Sequence, residues 1–199
     1  MSAENIAPIS TDRLTLRLLT GSDAAALHRF RGDKEATRFL SHPALTVEEN
    51  RRRLEEGLAQ AEASTSEWFN YGWAIILQES GEIIGDGRTW NSSASPISGV
   101  MSPGNLPVHQ ASLGYVLHPD HHGCGYGREA AGALVDWLFG ERGISTVFAG
   151  VYEPNLASMK LLQSLGFTQD RHFPAEQDKT GKGLPSLRFR LDSPPASSR

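Results

Sequence analysis

The sequence predicts a single domain of the mixed α/β class, and three observations support that prediction. Segments in which apolar and polar residues alternate, as in half-buried strands, recur between segments with helical spacing. Within residues 111–140, one such strand leads through a glycine-rich turn into a long helix. The length of 199 residues suits one domain with a sizeable core. We expect the domain at 11–191, a flexible lead at 1–10 and a disordered tail at 192–199.

Composition excludes several functional classes. A net charge of −4 argues against a general binder of nucleic acid or of an anionic membrane. No apolar run approaches the roughly 20 residues that a membrane span needs, and the N-terminus lacks the basic start and apolar centre of a secretory signal. The single cysteine excludes an internal disulfide framework. We therefore expect a cytoplasmic enzyme with neither nucleic acid nor membrane as a partner.

A strand and two helices open the domain. Leucines alternate with polar residues over 11–19, which predicts a half-buried strand. A helix should follow and end near Arg31, and a second helix should cover 47–61. Thr46 and Glu49 stand at the spacing of a capping box, so the second helix should begin directly after Thr46.

Mixed charge marks one face of this second helix. Arg51, Arg52 and Arg53 are followed closely by Glu55 and Glu56. Such a pattern is typical of a solvated surface, and that is the interpretation we prefer. The alternative is a functional basic patch.

A hairpin and a long insertion follow. Strands are predicted at 73–78 and 82–90, joined by a turn that contains Gly81. The next segment, 91–110, is rich in Ser, Pro, Gly and Asn, and loops of this length without structure of their own are uncommon. We expect a flap on the substrate side or a contact in a homodimer, and an inert insertion is the alternative.

The C-terminal part resumes the alternation of strands and helices. A β-rich run at 145–153 predicts a strand, and Asn155 can cap a helix over 156–165. Two short strands complete the predicted sheet, at 168–173 and 187–191.

The most distinctive stretch is the turn between the central strand and the long helix. Gly123, Gly125 and Gly127 occupy every second position, and the helical pattern begins at about Tyr126. Glycine permits a positive φ and close approach, and a helix N-terminus presents unpaired N–H groups to an anion. A phosphate-bearing ligand fits this pattern, and an ordinary glycine-rich connection is the alternative. The spacing fits neither a Walker loop nor a dinucleotide-binding fingerprint.

Residues 122–127 resemble the acyl-CoA-binding motif of the GNAT acetyltransferases, (Gln/Arg)-x-x-Gly-x-(Gly/Ala), although His122 departs from the usual Gln or Arg. The longer string over 114–130 and the opening at 11–17 resemble the Rim-type branch of that family, the ribosomal-protein N-terminal acetyltransferase-like enzymes. A second match lies at 155–167, where Asn-x-x-Ser is followed by Gly-Phe. The resemblance therefore spans nearly the whole chain.

This resemblance implies a strongly bent and splayed sheet, with acetyl-CoA as the co-substrate and no metal. The acceptor would be a primary amine, either a protein N-terminus or a small molecule, that attacks the thioester directly in a ternary complex. Two alternatives remain open at this point. The chain could be a catalytically quiet acyl-CoA-binding sensor, or an acyltransferase with a longer acyl donor.

Coenzyme contacts are implied for the glycine turn, for the end of the strand before it and for the start of the last helix. In the family the turn acts mainly through its backbone N–H groups, and the splayed strand offers backbone to the pantetheine arm. The residues assigned in this way are Val116, Leu117, His122, Gly123, Cys124, Gly125, Tyr126, Gly127, Arg128, Asn155 and Ser158.

The catalytic residues are less clear from the resemblance. The usual general acid is a tyrosine at a position that Leu162 occupies here. In the Rim-type branch Ser158 would instead hydrogen-bond the coenzyme sulfur and donate to the leaving thiolate, and its alternative role is to cap the helix. Glu176 and Asp86 are the candidate general bases. Either could be an ordinary surface carboxylate, with a water relaying the proton.

Other reactive side chains near the turn do not predict a further site. His118, His121 and His122 lie close in sequence, but adjacent histidines on a turn point apart and no carboxylate–cysteine set completes a metal site. The thiol of Cys124 lies at a helix start, a position that can make a cysteine reactive. We nevertheless expect it to be a small residue at a variable position of the motif.

Overall fold

The computed structural model describes residues 6–91 and 106–194. Most of the insertion predicted at 91–110, the start of the lead and the end of the tail lie outside these described residues. The described part contains eight strands and four α-helices. In chain order they are β1 (Ile9–Ser10), β2 (Leu14–Leu18), α1 (Ala24–Arg31), α2 (Val47–Glu62), β3 (Asn70–Leu77), β4 (Ile83–Trp90), β5 (Gln110–Leu117), α3 (Tyr126–Gly140), β6 (Thr146–Tyr152), α4 (Leu156–Ser164), β7 (Thr168–Phe173) and β8 (Ser186–Asp192).

All eight strands form one sheet in the order β1-β2-β3-β4-β5-β6-β8-β7. Every neighbouring pair is antiparallel except β5 and β6, which run parallel. This parallel pair is short, because only Gln110–Leu113 pairs with Thr146–Ala149. From Gly114 onward β5 pairs with β4 alone. The two central strands therefore diverge, which confirms the predicted splayed sheet.

The helices cover opposite faces of the sheet. A Cβ at Gly87 would lie 2.8 Å from Cδ1 of Leu134, so β4 presents this glycine to α3. Because side chains alternate along a strand, Asp86 and Arg88 point to the other face. There Asp86 contacts Arg31 at the end of α1. This alternation separates the α3 side of the sheet from the α1 and α2 side.

Helix ends follow the predicted signals. Thr46 Oγ1 accepts from the Glu49 N–H at 3.2 Å, and the Thr46 N–H donates to the Glu49 carboxylate at 2.8 Å. This capping box is confirmed, and α2 begins at the next residue. The Asn155 Oδ1 accepts from the Ser158 N–H at 3.2 Å, so Asn155 caps α4. The cap of α4 is thus made by the Asn155 side chain, and Ser158 contributes only its backbone.

The strands differ from the sequence prediction in one additional strand and in several boundaries. Ile9–Ser10, which fell in the predicted lead, forms β1 because Ile9 packs on the core and pairs with Leu16. Strand β3 begins three residues earlier than expected, at Asn70, whose polar side chain is buried and bonded to Gln60. Strand β8 continues to Asp192, into the predicted tail. None of the helices that the structure describes is both long and apolar enough to cross a membrane.

Candidate active site

A cavity of about 1280 Å³ lies where β5 and β6 separate. Its walls come from the ends of both strands, from the glycine turn and α4 on one side, and from α1, α2 and β4 on the other. The sequence-predicted residues that line it are Val116, Leu117, His122, Gly123, Gly125, Tyr126, Gly127, Arg128, Asn155, Ser158 and Asp86. Glu176 and Cys124 do not line it.

The glycine turn has the backbone geometry that its spacing predicts. Gly123 and Gly125 have φ values of +75° and +82°, in the left-handed region that side-chain-bearing residues rarely adopt. Gly125 is the N-cap of α3. Within the described part of the chain, the N–H groups from Gly123 to Arg128 meet no hydrogen-bond acceptor. Together with the helix dipole, these unpaired donors make the turn an anion site.

Thr11 and Arg13, which precede β2, bind Glu129 of α3 and form a brace that holds this turn in place. The Glu129 Oε1 accepts from the Arg13 N–H at 2.9 Å and from Thr11 Oγ1 at 2.6 Å, while Glu129 Oε2 accepts from Arg13 Nε at 2.8 Å. Arg13 also donates to the Cys124 carbonyl at 3.0 Å. Burial alone would raise the pKa of Glu129, but the hydrogen bonds from Thr11 and Arg13 hold it below its usual value. Sequence reasoning missed Arg13 as a site residue, although it lies in the opening that resembles the Rim-type branch.

The side chains of the turn and of the helix start contact different elements or solvent. The His122 Nε2 lies 3.1 Å from the Leu117 carbonyl, so the ring folds back on the end of β5. Arg128 donates to Ser164 Oγ at 3.1 Å. Cys124 is exposed. Within residues 6–91 and 106–194, no group of three or more His, Cys, Asp or Glu side chains is placed to hold a metal ion.

Ser158 has a hydroxyl partner that sequence reasoning did not find. Its Oγ lies 2.9 Å from the Tyr115 hydroxyl, which projects from the diverging end of β5. Burial raises the pKa of Tyr115 to about 12, although the hydrogen bond with Ser158 opposes the shift. From the sequence Tyr115 was assigned only as an apolar strand residue, because its partner is 43 residues away. The position of the usual family tyrosine, Leu162, is fully buried in the core.

The two candidate bases occupy different environments. Asp86 is 8% exposed, lines the cavity and forms an ion pair with Arg31. Glu176 is exposed in a short 3₁₀ turn after β7. Strand β7 is the edge strand, two positions from β6 in the sheet, and Glu176 does not line the cavity. The structure therefore brings Asp86 to the cavity and does not bring Glu176 there.

Residues 13–168 match the model of a family described as the acetyltransferase (GNAT) domain. The chain belongs to the GNAT acetyltransferase family. It is thus an acetyl-CoA-dependent N-acetyltransferase, which confirms the coenzyme, the fold and the reaction class expected from the sequence.

Individual relatives show how far this likeness extends. The N-acetyltransferase YoaA of Bacillus subtilis (strain 168) is 27% identical over 165 residues, which cover 81% of this chain and 83% of that protein. The L-amino acid N-acyltransferase MnaT of Escherichia coli (strain K12) is 36% identical over 76 residues, 38% of this chain and 44% of that protein. RimL, a ribosomal L7/L12 alpha-N-protein acetyltransferase solved with coenzyme A, has a TM-score of 0.74 at 18% identity, covering 94% of this chain and 98% of that chain. At that identity the RimL comparison shows a shared fold.

Proposed function

We propose that this N-acetyltransferase acetylates a primary amine that enters from the α1 and α2 side of the sheet, while acetyl-CoA binds on the α3 side. Acetyl-CoA supplies the acetyl group as a thioester. The unpaired N–H groups of the glycine turn would bind its pyrophosphate, and the backbone of β5 beyond Leu113 would pair with its amide-bearing arm. The observation that carries this proposal is the continuous cavity that joins the turn to the α1 and α2 side through the gap between β5 and β6.

The Tyr115–Ser158 pair is placed to stabilise the leaving thiolate. With its pKa near 12, the Tyr115 phenol stays protonated at neutral pH and can donate to the Ser158 Oγ. Ser158 is then free to donate its own proton toward the sulfur. Because a thiol has a pKa of about 8.5, full proton transfer from this tyrosine would be strongly uphill. We therefore assign the pair to hydrogen bonding of the developing thiolate rather than to its complete protonation.

Of the two candidate carboxylates, Asp86 is the better placed to act on the acceptor. Its carboxylate lies in the cavity and is engaged by Arg31. An ion-paired carboxylate is better suited to orient an incoming ammonium than to remove its proton, so we propose a positioning role for Asp86. The proton would then leave through water, and Glu176 remains a candidate base only as a sequence-based prediction.

The acceptor class can be tested directly. RimL acts on a ribosomal protein and MnaT on L-amino acids, according to their names, so both kinds of acceptor belong in the assay. Release of free thiol from acetyl-CoA should accelerate with at least one primary amine from a panel of amino acids, polyamines and N-terminal peptides. If acetyl-CoA binds but no amine raises thiol release, the chain is an acyl-CoA-binding sensor and the proposal is wrong.

The acyl donor is tested in the same assay. The proposal expects acetyl-CoA to give a higher kcat/KM than butyryl-CoA or octanoyl-CoA. If a longer acyl-CoA is preferred, the proposed coenzyme site stands, but the group transferred in the proposed reaction is the longer acyl group and not acetyl. The cytoplasmic location and the homodimer remain predictions from the sequence.

A further inference from the structure

The α1 and α2 side of the cavity has three arginines that are shielded from solvent in part or almost fully, whereas of its acidic side chains only Asp86 is buried. Arg31 from α1, Arg53 from α2 and Arg88 from β4 all line it. Of these three arginines, only Arg31 has an acidic ion-pair partner among the described residues, Asp86, and both of these side chains are nearly buried, at 13% and 11% exposed. The positive charges of Arg53 and Arg88 are therefore not neutralised by an ion pair within the described residues.

Arg88 is held in place without being neutralised. Its Nε donates to Asn70 Oδ1 at 2.8 Å, and its Nη2 donates to Gln60 Oε1 at 3.1 Å. Both acceptors are neutral amides. The guanidinium also lies over the Trp90 ring, 5.3 Å from its centroid. These contacts fix the orientation of the Arg88 guanidinium and leave its positive charge uncompensated.

Arg53 makes no hydrogen bond or ion pair with any residue in the described ranges, although it is only partly exposed. Burial and the charge of Arg31 lower its pKa, and Asp86 and Glu56 oppose that shift. Burial, followed by the charges of Arg53 and Arg31, lowers the pKa of Arg88 to about 10. The guanidinium groups thus repel one another across a partly desolvated space.

The remaining titratable groups nearby do not supply the missing negative charge. Burial lowers the pKa of His42 to about 4, so this ring is neutral at physiological pH. Glu35 is 72% exposed and lies near Arg38. Glu56 and Glu62 also line the cavity from α2, and both are exposed to solvent. A bound anion would relieve the repulsion that these arginines otherwise maintain.

Such an anion would bind at a different place from the phosphates of the coenzyme. Asp86 and Arg88 project from β4 toward α1 and α2, whereas the glycine turn lies at the start of α3, which packs on the opposite face. Asp86 pairs with Val116 in the part of β5 that has separated from β6. The arginines therefore belong to the side from which the amine enters.

We propose that Arg53 and Arg88 bind a carboxylate of the amine acceptor, so that the preferred substrates are amines that also carry a carboxylate. A planar guanidinium matches a carboxylate in a two-point contact, and the cost of burying the acceptor charge is offset by charges already fixed in the cavity. Asp86 can engage the ammonium of the same molecule. This inference rests on the proposed amine acetylation. The carboxylate could come from a free amino acid or from an acidic side chain near a peptide N-terminus.

The test compares matched acceptors in which a carboxylate is replaced by the corresponding amide. L-phenylalanine and L-methionine are compared with their amides, and the peptide Ser-Asp-amide is compared with Ser-Asn-amide. The carboxylate-bearing member of at least one kind of pair should have a kcat/KM about tenfold higher or more. A preference confined to the free amino acids identifies the α-carboxylate as the ligand, and one confined to the peptides identifies the acidic side chain.

The variant Arg53→Gln should reduce that preference about tenfold, chiefly through a higher KM. The neutral amides are measured with the parent and with the variant, and the readout is the ratio of kcat/KM for the charged acceptor to kcat/KM for its amide. Arg52→Gln is the matched control, since its side chain is exposed on the same helix and does not line the cavity.

Two outcomes would overturn the inference, and they differ from failure of the proposed function. Equal kcat/KM values for the charged and neutral acceptors would exclude a carboxylate site while amine acetylation stands. An unchanged preference in both Arg53→Gln and Arg88→Gln would place the recognition elsewhere. If no amine is acetylated although acetyl-CoA binds, the proposed function itself fails and the inference fails with it.

Discussion

The two ends of the cavity are built in different ways. The proposed coenzyme end consists of backbone N–H groups on one continuous stretch, from Gly123 to Arg128, aligned by the start of α3. The proposed acceptor end consists of side chains that α1, α2 and β4 bring together from distant parts of the chain. A backbone site can persist while most side chains around it change. A side-chain site can change its substrate through one or two substitutions, so the acceptor end is where specificity can vary within a shared fold.

The largest expected effect tests the backbone character of the coenzyme end. Gly125→Asp should weaken acetyl-CoA binding by about a hundredfold or more. The new residue would be strained at a φ of +82°, its Cβ would lie 3.4 Å from Arg13 Nη2, and its carboxylate would repel the pyrophosphate. Titration calorimetry on the folded variant measures the loss.

Gly143→Asp is the control for strain alone. Gly143 has a φ of +63° in an exposed turn with no atom within 4 Å of an added Cβ. This variant should lose some stability and retain its coenzyme affinity. If Gly125→Asp binds acetyl-CoA as tightly as Gly143→Asp does, the glycine turn is not the phosphate site.

The same contrast explains how much of the site the sequence could predict. The glycine spacing, the capping box of α2 and the Asn-x-x-Ser helix start are local signals, since each depends on residues within one or two turns of the chain. The structure confirms these helix starts, and the positive φ values of Gly123 and Gly125 agree with the predicted turn. Strand ends were less predictable, because the burial of Asn70 depends on its contact with Gln60 on another element.

Arg53 shows why the acceptor end was not predictable. The sequence places it between Arg52 and Glu55, in a run of mixed charge that is typical of a solvated face. Its neighbour Leu54 is buried between α1 and α2, and this packing turns Arg53 toward the cavity. Tyr115 was missed for a similar reason, since only the fold brings its hydroxyl to Ser158.

A second, smaller effect is expected at the boundary between the two ends. Tyr115→Phe and Ser158→Ala should each lower kcat about tenfold and change acetyl-CoA affinity by less than about twofold. Their double variant should be little worse than either single one, because both changes interrupt the same chain of hydrogen bonds. Steady-state kinetics with a fixed acceptor, combined with calorimetry for the coenzyme, separates kcat from binding.

The control for this cycle is Tyr152→Phe. It removes another tyrosine hydroxyl with a hydroxyl partner, Thr180, at a position that does not line the cavity. Its kcat should stay near that of the parent. If Ser158→Ala lowers the melting temperature and leaves kcat unaltered, Ser158 has a structural role only and the assignment of the pair is wrong.

The smallest expected effect concerns the side chains that support the backbone site. Glu129 binds Arg13 and Thr11, and its pKa is lowered in the folded protein. A carboxylate with a lowered pKa stabilises the fold above its unfolded pKa, and this contribution is lost as the pH falls through the folded value. Glu129→Gln should therefore be less stable than the parent above about pH 5, and the two proteins should converge in acid, below the usual glutamate range near 4.3. At pH 7 the variant should bind acetyl-CoA about threefold more weakly, because the turn loses its brace.

Glu48→Gln, which breaks an exposed pair with Arg51, is the comparison and should affect coenzyme binding very little. Denaturant unfolding and calorimetry at pH 7 and below pH 4 measure both effects, and equal coenzyme affinities for the two variants at pH 7 would mean that the turn holds its geometry without the brace.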